Sequence, residues 1–318
     1  MKTLKARKRH IHIRKFRTRI RYNNLAKQRT QRTQHKKNRI INGGSLIGQG
    51  NFGCVFRPDI INGNKDIVSK IVLKTNMFNE YRHEYKILSK VSSVDPTGKF
   101  HSVISNAVEL RPNIVPSDFN KCSLSRPTYD VKDFFVFNIK YCGTNNLSYY
   151  LHRVFHKTRD DASTSASARI EPGVLFTLLT NIIVGIKKMV KVNVVHKTLD
   201  TDSIYLLEPV SLRNPYCEKI IDFGEGEVRK YDSFSDKYQD YIMLFNSIIK
   251  ILDAAHRNGH PNAMYAHMII GLRNMFTELI SMVNMPKFSQ DELIKKYIAS
   301  IGIIFGESYS KYANSKYK

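Results

Sequence analysis

The sequence predicts an α+β fold of two lobes, the first rich in strands and the second helical, behind a disordered basic arm. Three observations predict it. Charge is segregated: of 51 Lys and Arg in 318 residues, 16 fall within residues 1–40, which hold no acid. β-Branched and aromatic runs, punctuated by Gly, Asn and Pro, crowd the stretch up to residue 140. Beyond it, apolar residues recur mainly at helical spacing. The expected division is a basic arm at 1–42, a strand-rich lobe at 43–140 and a helical lobe at 141–318.

The arm supplies most of the +24 net charge, since the rest of the chain carries 35 basic and 27 acidic side chains. Like charges at that density repel, which is why disorder is expected there. Such an arm neutralises phosphates, so nucleic acid or another polyanion is its expected partner through residues 1–40. A solvated or nuclear-targeting leader is the plain alternative. The remainder can bury a core, with 42% hydrophobic and 11% aromatic residues overall. No apolar run reaches the roughly 18 residues of a membrane span, so no transmembrane segment is expected. No apolar stretch of a secretory signal follows the basic N-terminus. Cys54, Cys122, Cys142 and Cys217 are scattered without a C-x-x-C pair. Neither a zinc site nor a disulfide is expected from them, and a reducing, intracellular compartment is.

In chain order, Ser45–Ile47 and Cys54–Phe56 read as strands around a glycine-rich loop. Asp66–Leu73 reads as a buried strand, and Phe78–Val91 as a helix. Residues 92–132, with prolines at 96, 112, 116 and 127, read as irregular. Phe134–Ile139 is a further strand and Leu147–Phe155 a helix, followed by a low-complexity loop at 162–168. Leu175–Val190 is a long amphipathic helix. Val194–Leu206 and Lys219–Asp222 are short strand-like pieces around loops, and from Tyr238 onward the pattern is helical.

Four motifs carry chemistry. Gly48-x-Gly50-x-x-Gly53-x-Val55 has the spacing of a phosphate loop, a weak signal alone. A dinucleotide loop opens a helix, whereas Cys54-Val55-Phe56 is β-prone and leads into another strand. A strand–loop–strand hairpin suits a lid over phosphates, its glycines letting backbone N–H groups approach the oxygens. Lys70, 17 residues beyond Gly53, is the candidate phosphate lysine, with Lys74 its rival on the same face at period two. Glu84 is the candidate partner on the following helix, with Glu80 as alternative. Lys219-Ile-Ile-Asp222-Phe223-Gly224 offers Asp222 to a metal ion, and Val194–Ile204 forms a loop after the long helix, containing His196, Thr198, Asp200 and Ser203.

On these motifs the chain resembles a eukaryotic-type protein kinase. More narrowly it resembles the serine/threonine kinases of large nucleocytoplasmic DNA viruses. The narrower likeness rests on Gly43-Gly44, Gly48 through Pro58, Val68-Ser69-Lys70, Asp95-Pro96, Tyr141-Cys142-Gly143 with Asn146-Leu147, and Asp240 through Ser247. It covers about residues 43–255. The resemblance implies ATP with Mg²⁺ between the lobes. Gly48, Gly50, Gly53, Val55, Lys70 and Glu84 would bind the nucleotide, with a hinge at Tyr141 and Cys142, and Asp222 and Ser203 would bind the metal. It also implies a protein substrate or partner and, if the chain is viral, residence in the host cytoplasm, the nucleus or the virion.

The same resemblance exposes departures. Thr198 stands where the family has its catalytic Asp, Asp200 where it has a phosphate-contacting Lys, and Ser203 where it has a metal-binding Asn. A threonine hydroxyl has no useful basicity near neutral pH, and Asp200 sets a negative charge near a transferring phosphoryl group. No Ala-Pro-Glu motif precedes the helix near 240, which leaves an activation segment of about 15 residues holding Tyr231, Ser233 and Ser235. The expected function is therefore ATP binding with impaired or absent phosphotransfer. An active serine/threonine kinase using Asp200, or Asp202, as surrogate base is the alternative, and a polyanion binder acting through the arm is the third.

Overall fold

The computed structural model describes residues 44–306, apart from 51–52, 75–79, 125–128, 156–171, 208–209, 211–216, 230–233, 260–262, 286 and 288. The basic arm, the 162–168 loop, Tyr231 and Ser233 lie outside the described residues, as do the side chains of Glu80 and Ser235.

The first lobe is a five-stranded antiparallel sheet in the order β1-β2-β3-β5-β4. Its strands are β1 (Ser45–Gly50), β2 (Gly53–Arg57), β3 (Ile67–Leu73), β4 (Ile104–Glu109) and β5 (Phe134–Lys140), with helix α1 (Glu80–Val94) between β3 and β4. The near-continuous apolar run of β3 has a physical cause: both faces of the sheet are covered. On one face Val68 and Lys70 line a cleft. On the other, Ile71 and Leu73 join Cys54, Phe56, Phe134 and Val136 in a separate core.

That second core is closed by residues 110–124 and 129–133, from the stretch the sequence reading leaves as irregular. The segment folds back in three short 3₁₀ turns (Pro112–Ile114, Phe119–Lys121 and Val131–Asp133). It seats Phe119 against Phe134 and Phe56, at ring distances of 5.1 and 6.5 Å. Cys122 of this segment forms a disulfide with Cys54 of β2, their Cα atoms 5.9 Å apart. This corrects the expectation of no disulfide. Sixty-eight residues separate the two cysteines in sequence, so spacing gives no hint of a pairing that the β-sheet creates. Strand β4 is the other omission from the irregular stretch. As an edge strand it carries the polar sequence Ile-Ser-Asn-Ala-Val-Glu, which lacks a buried strand's signature.

The second lobe contains α2 (Leu147–Phe155), α3 (Pro172–Lys191), α4 (Phe234–Asn258), α5 (Ala263–Val283) and α6 (Gln290–Phe305). Short strands β6 (Asn145–Asn146), β8 (Ile204–Leu206) and β9 (Glu218–Ile220) form one small sheet, and β7 (Val194–Val195) pairs with β10 (Glu227–Val228). Helix α3 is buried over most of its surface because it runs through the core, from Val174 to Val190. Among the described residues it alone is long and apolar enough to cross a membrane, yet 83% of the qualifying stretch is buried inside the protein. Helix α6 starts at a capping box, in which Ser289 Oγ accepts from Glu292 N–H while the Glu292 carboxylate accepts from Ser289 N–H.

Two features bind the lobes together. Ile87, Leu88 and Val91 of α1 belong to the same core as the second-lobe helices. Residues 100–102 run beside β9, with Ile220 N–H donating to Phe100 O and Ser102 N–H donating to Ile220 O, both at 2.9 Å.

Candidate functional site

A cleft of about 370 Å³ lies between the five-stranded sheet and the β6-β8-β9 sheet. Gly48, Gly50, Gly53, Val55, Lys70, Glu84, Tyr141, Cys142 and Asp222, all singled out from the sequence, line it. Thr198, Asp200 and Ser203 are not part of that lining and lie on the loop between β7 and β8.

The charged end of the cleft is built from three elements. Lys70, in the middle of β3, reaches Glu84 Oε1 of α1 at 2.8 Å and Asp222 Oδ1 at 3.3 Å. Burial pulls the Lys70 pKa down, but the two carboxylates outweigh it and hold the ammonium above its usual range. Lys74 goes elsewhere. Strand β3 ends at Leu73, so the period-two rule no longer governs Lys74, whose ammonium meets Glu109 Oε1 at 2.8 Å and Lys132 O at 3.0 Å. Asp222 sits in the left-handed region, at φ 62° and ψ 64°. Its carboxylate is 61% exposed in the open cleft, while Phe223 is buried 4.9 Å from the His196 ring.

Glycine has different reasons along the loop. At Gly53 a Cβ would come within 2.7 Å of Ile71 O, so packing excludes any side chain. At Gly48 and Gly50 a Cβ would meet nothing within 4 Å, so the protein's own packing does not call for glycine there. At the hinge, Gly143 has φ 98° and lies against Leu206 O, where a Cβ has no room.

The loop after α3 is held from below. Asp240 of α4 accepts from the backbone N–H groups of His196 at 2.8 Å and Lys197 at 3.1 Å. His196 Nε2 bonds Ile221 O at 2.7 Å, tying this loop to the residue before Asp222. Thr198 is exposed, its Oγ1 3.4 Å from His196 Nδ1. Asp200 turns back into its own loop: Oδ1 accepts from Asp202 N, Ser203 N and Ser203 Oγ, each at 2.9 Å. Ser203 Oγ also lies 3.0 Å from Thr198 O. Asp202 Oδ1 accepts from Asn146 Nδ2 at 2.8 Å.

Sequence reasoning assigned no role to Asp240 or to a cluster beside the loop. There Glu227 takes Lys197 at 2.8 Å and Arg229 at 2.9 Å. Asp240 lies in a stretch quoted for the resemblance and the Glu227 cluster in none, but both act through distant partners that sequence does not show. For metal, no group of three or more His, Cys, Asp or Glu side chains stands ready among the described residues. Asp222 offers one open carboxylate, which suits an ion whose other ligands are phosphate and water oxygens.

The arrangement is a protein-kinase-like fold: a strand-rich lobe with a Lys–Glu pair, a helical lobe carrying an Asp-Phe-Gly turn, and a cleft between them. Among solved structures the chain is similar to the autoinhibited serine kinase domain of the giant muscle protein titin. Identity is 12%, over 80% of this chain and 78% of that one, with a TM-score of 0.48. No protein-family model matches the chain, and no curated protein matches it significantly.

Proposed function

We propose that the protein binds ATP with Mg²⁺ between its lobes and transfers phosphate poorly or not at all, acting through the nucleotide-bound form and a protein partner. The observation that carries this reading is the contrast inside one site. Lys70, Glu84 and Asp222 stand assembled, while the loop that should supply a base presents Thr198 and a self-bonded Asp200. Lys70 would meet the phosphates, Asp222 the metal with Ser203 beside it, and the 140–142 backbone the edge of the base. The Asp200 oxygen that already accepts three hydrogen bonds is a poor proton acceptor, which weighs against a surrogate base. The narrower likeness to viral serine/threonine kinases rests on the motif residues and fits this reading. The basic arm, with 16 Lys and Arg and no acid, would supply a polyanion contact that brings the nucleotide-binding lobes to their partner.

The test is direct. MgATP should raise the melting temperature of the full chain, because a ligand that binds only the folded state stabilises it. Transfer of radiolabelled phosphate to generic protein substrates should stay far below the ~1–100 s⁻¹ usual for kinases. No thermal shift at millimolar ATP defeats the binding half, and ordinary turnover defeats the other half.

A further inference from the structure

The segment between β4 and β5 holds the glycine-rich hairpin from behind. Along β2, Gly53 and Val55 line the cleft, while alternation turns Cys54 and Phe56 to the opposite face and into the outer core. There the disulfide fastens Cys122 to the residue next to Gly53. Phe119 packs beside it, 6.5 Å from the Phe56 ring. A second hold lies on β1. Gln49, paired with Cys54 across the hairpin, accepts from Ser123 N–H at 3.2 Å through its Oε1. Toward its tip the hairpin is otherwise open: Ile47, Gln49 and Gly50 are exposed, and no described atom lies within 4 Å of a Cβ at Gly48 or Gly50.

We infer that residues 119–124 are a strap that positions the glycine loop for a ligand's phosphates, and that thiol–disulfide exchange at Cys54–Cys122 sets nucleotide affinity. The inference rests on the nucleotide reading above and adds its regulation. With the bond closed the hairpin is held from its outer face, so less freedom is lost when phosphate binds. A dithiol reductant gives two electrons and two protons to the S–S bond, leaving two protein thiols and its own cyclic disulfide. Both sulfurs are buried, so exchange passes through local opening of the strap. Afterwards residues 122–124 hang on one exposed hydrogen bond, which is weak alone.

Calorimetric titration of MgATP into the full chain, oxidised and after dithiothreitol, reads the effect, with melting curves to show that both forms are folded. Reduction should weaken binding roughly two- to ten-fold, the scale of holding one flexible side chain in place. By linkage, MgATP should make the bond harder to reduce by the same factor. Cys54→Ala with Cys122→Ala should match the reduced chain and ignore reductant, which excludes an effect through the free Cys142 in the cleft. Gln49→Ala should weaken MgATP binding in the oxidised chain and add nothing in the reduced one, because both changes release the same strap. Direct contact of Gln49 with the ligand would cost the same in both forms and would overturn its place in the strap. Equal MgATP affinity in oxidised and reduced wild type overturns the inference and leaves the nucleotide reading standing. A chain that binds no MgATP in either form overturns both.

Discussion

Lys70 and Lys74 are four residues apart, and only one of them faces the cleft. Lys70→Ala should shrink the ATP-induced rise in melting temperature to a small remnant, and Lys74→Ala should leave it within error. Equal effects would show that the phosphate lysine is misassigned. The catalytic loop invites a second test. Thr198→Asp restores a carboxylate, and general-base help is typically worth about 10²–10⁴-fold, so phosphotransfer should rise and Asp222→Ala should abolish the gain. Changing Asp200 to Lys as well, to complete the family pattern, removes the acceptor of three hydrogen bonds. That variant should lose about 1–3 kcal/mol of stability, which a denaturant midpoint would record. A third residue gives a pH test. Burial pushes the Glu218 carboxyl up to about 8, while burial lowers the neighbouring Lys219. Between the ordinary value of 4.5 and about 8, the unfolded chain has released this proton and the folded chain has kept it. Through this group folded stability therefore falls as pH rises across that range. Glu218→Gln should flatten that slope, and a parallel slope in the variant would disprove the assignment. The Gly-loop, Lys70, Glu84 and Asp222 were legible because each lies in a local motif. The roles of Asp240 and Glu227 were not, because each depends on what the fold brings opposite it.

At the scale of elements, legibility follows how far a pattern is local. Strand β3, helix α3 and helix α4 announce themselves through continuous apolar runs or helical spacing. Strand β4 does not, because an edge strand with one partner tolerates polar residues. Residues 110–124 have no periodicity at all, yet they build the outer core of the first lobe around Phe119 and Cys122. The two-residue strands β6, β7 and β10 are shorter than any sequence pattern. Helix α6 was read only as part of a helical tail, although the Ser289–Glu292 box states its start. Ser289→Ala should cost about 1 kcal/mol, a typical N-cap loss, and chemical denaturation of the variant would measure it.

For the whole molecule, charge and architecture separate. The architecture follows from residues that carry a modest +8, whereas the arm carries +16 without an acid. Deleting residues 1–40 should leave the melting temperature of the remainder nearly unchanged. It should abolish salt-sensitive binding to DNA, RNA or anionic vesicles, and the intact chain should show the steep log–log salt dependence of counterion release. Equal binding by the shortened chain would reduce the arm to a leader.

The disulfide has a thermodynamic reach beyond the segment it fastens. Lys70 and Glu84 both lie inside the ring closed by Cys54 and Cys122, while Asp222 lies outside it. In the denatured ensemble, the strand and the helix that supply the ion pair thus remain covalently leashed to each other. Restricting a loop of this length removes chain entropy worth about 4 kcal/mol in the simplest account. The helical lobe has no comparable restraint, since Cys142 and Cys217 are both free. Reductant should therefore redistribute stability rather than lower it evenly. Amide hydrogen exchange in β2 and β3 should accelerate most, and exchange in α3 least, so the two walls of the cleft would cease to open as one cooperative unit.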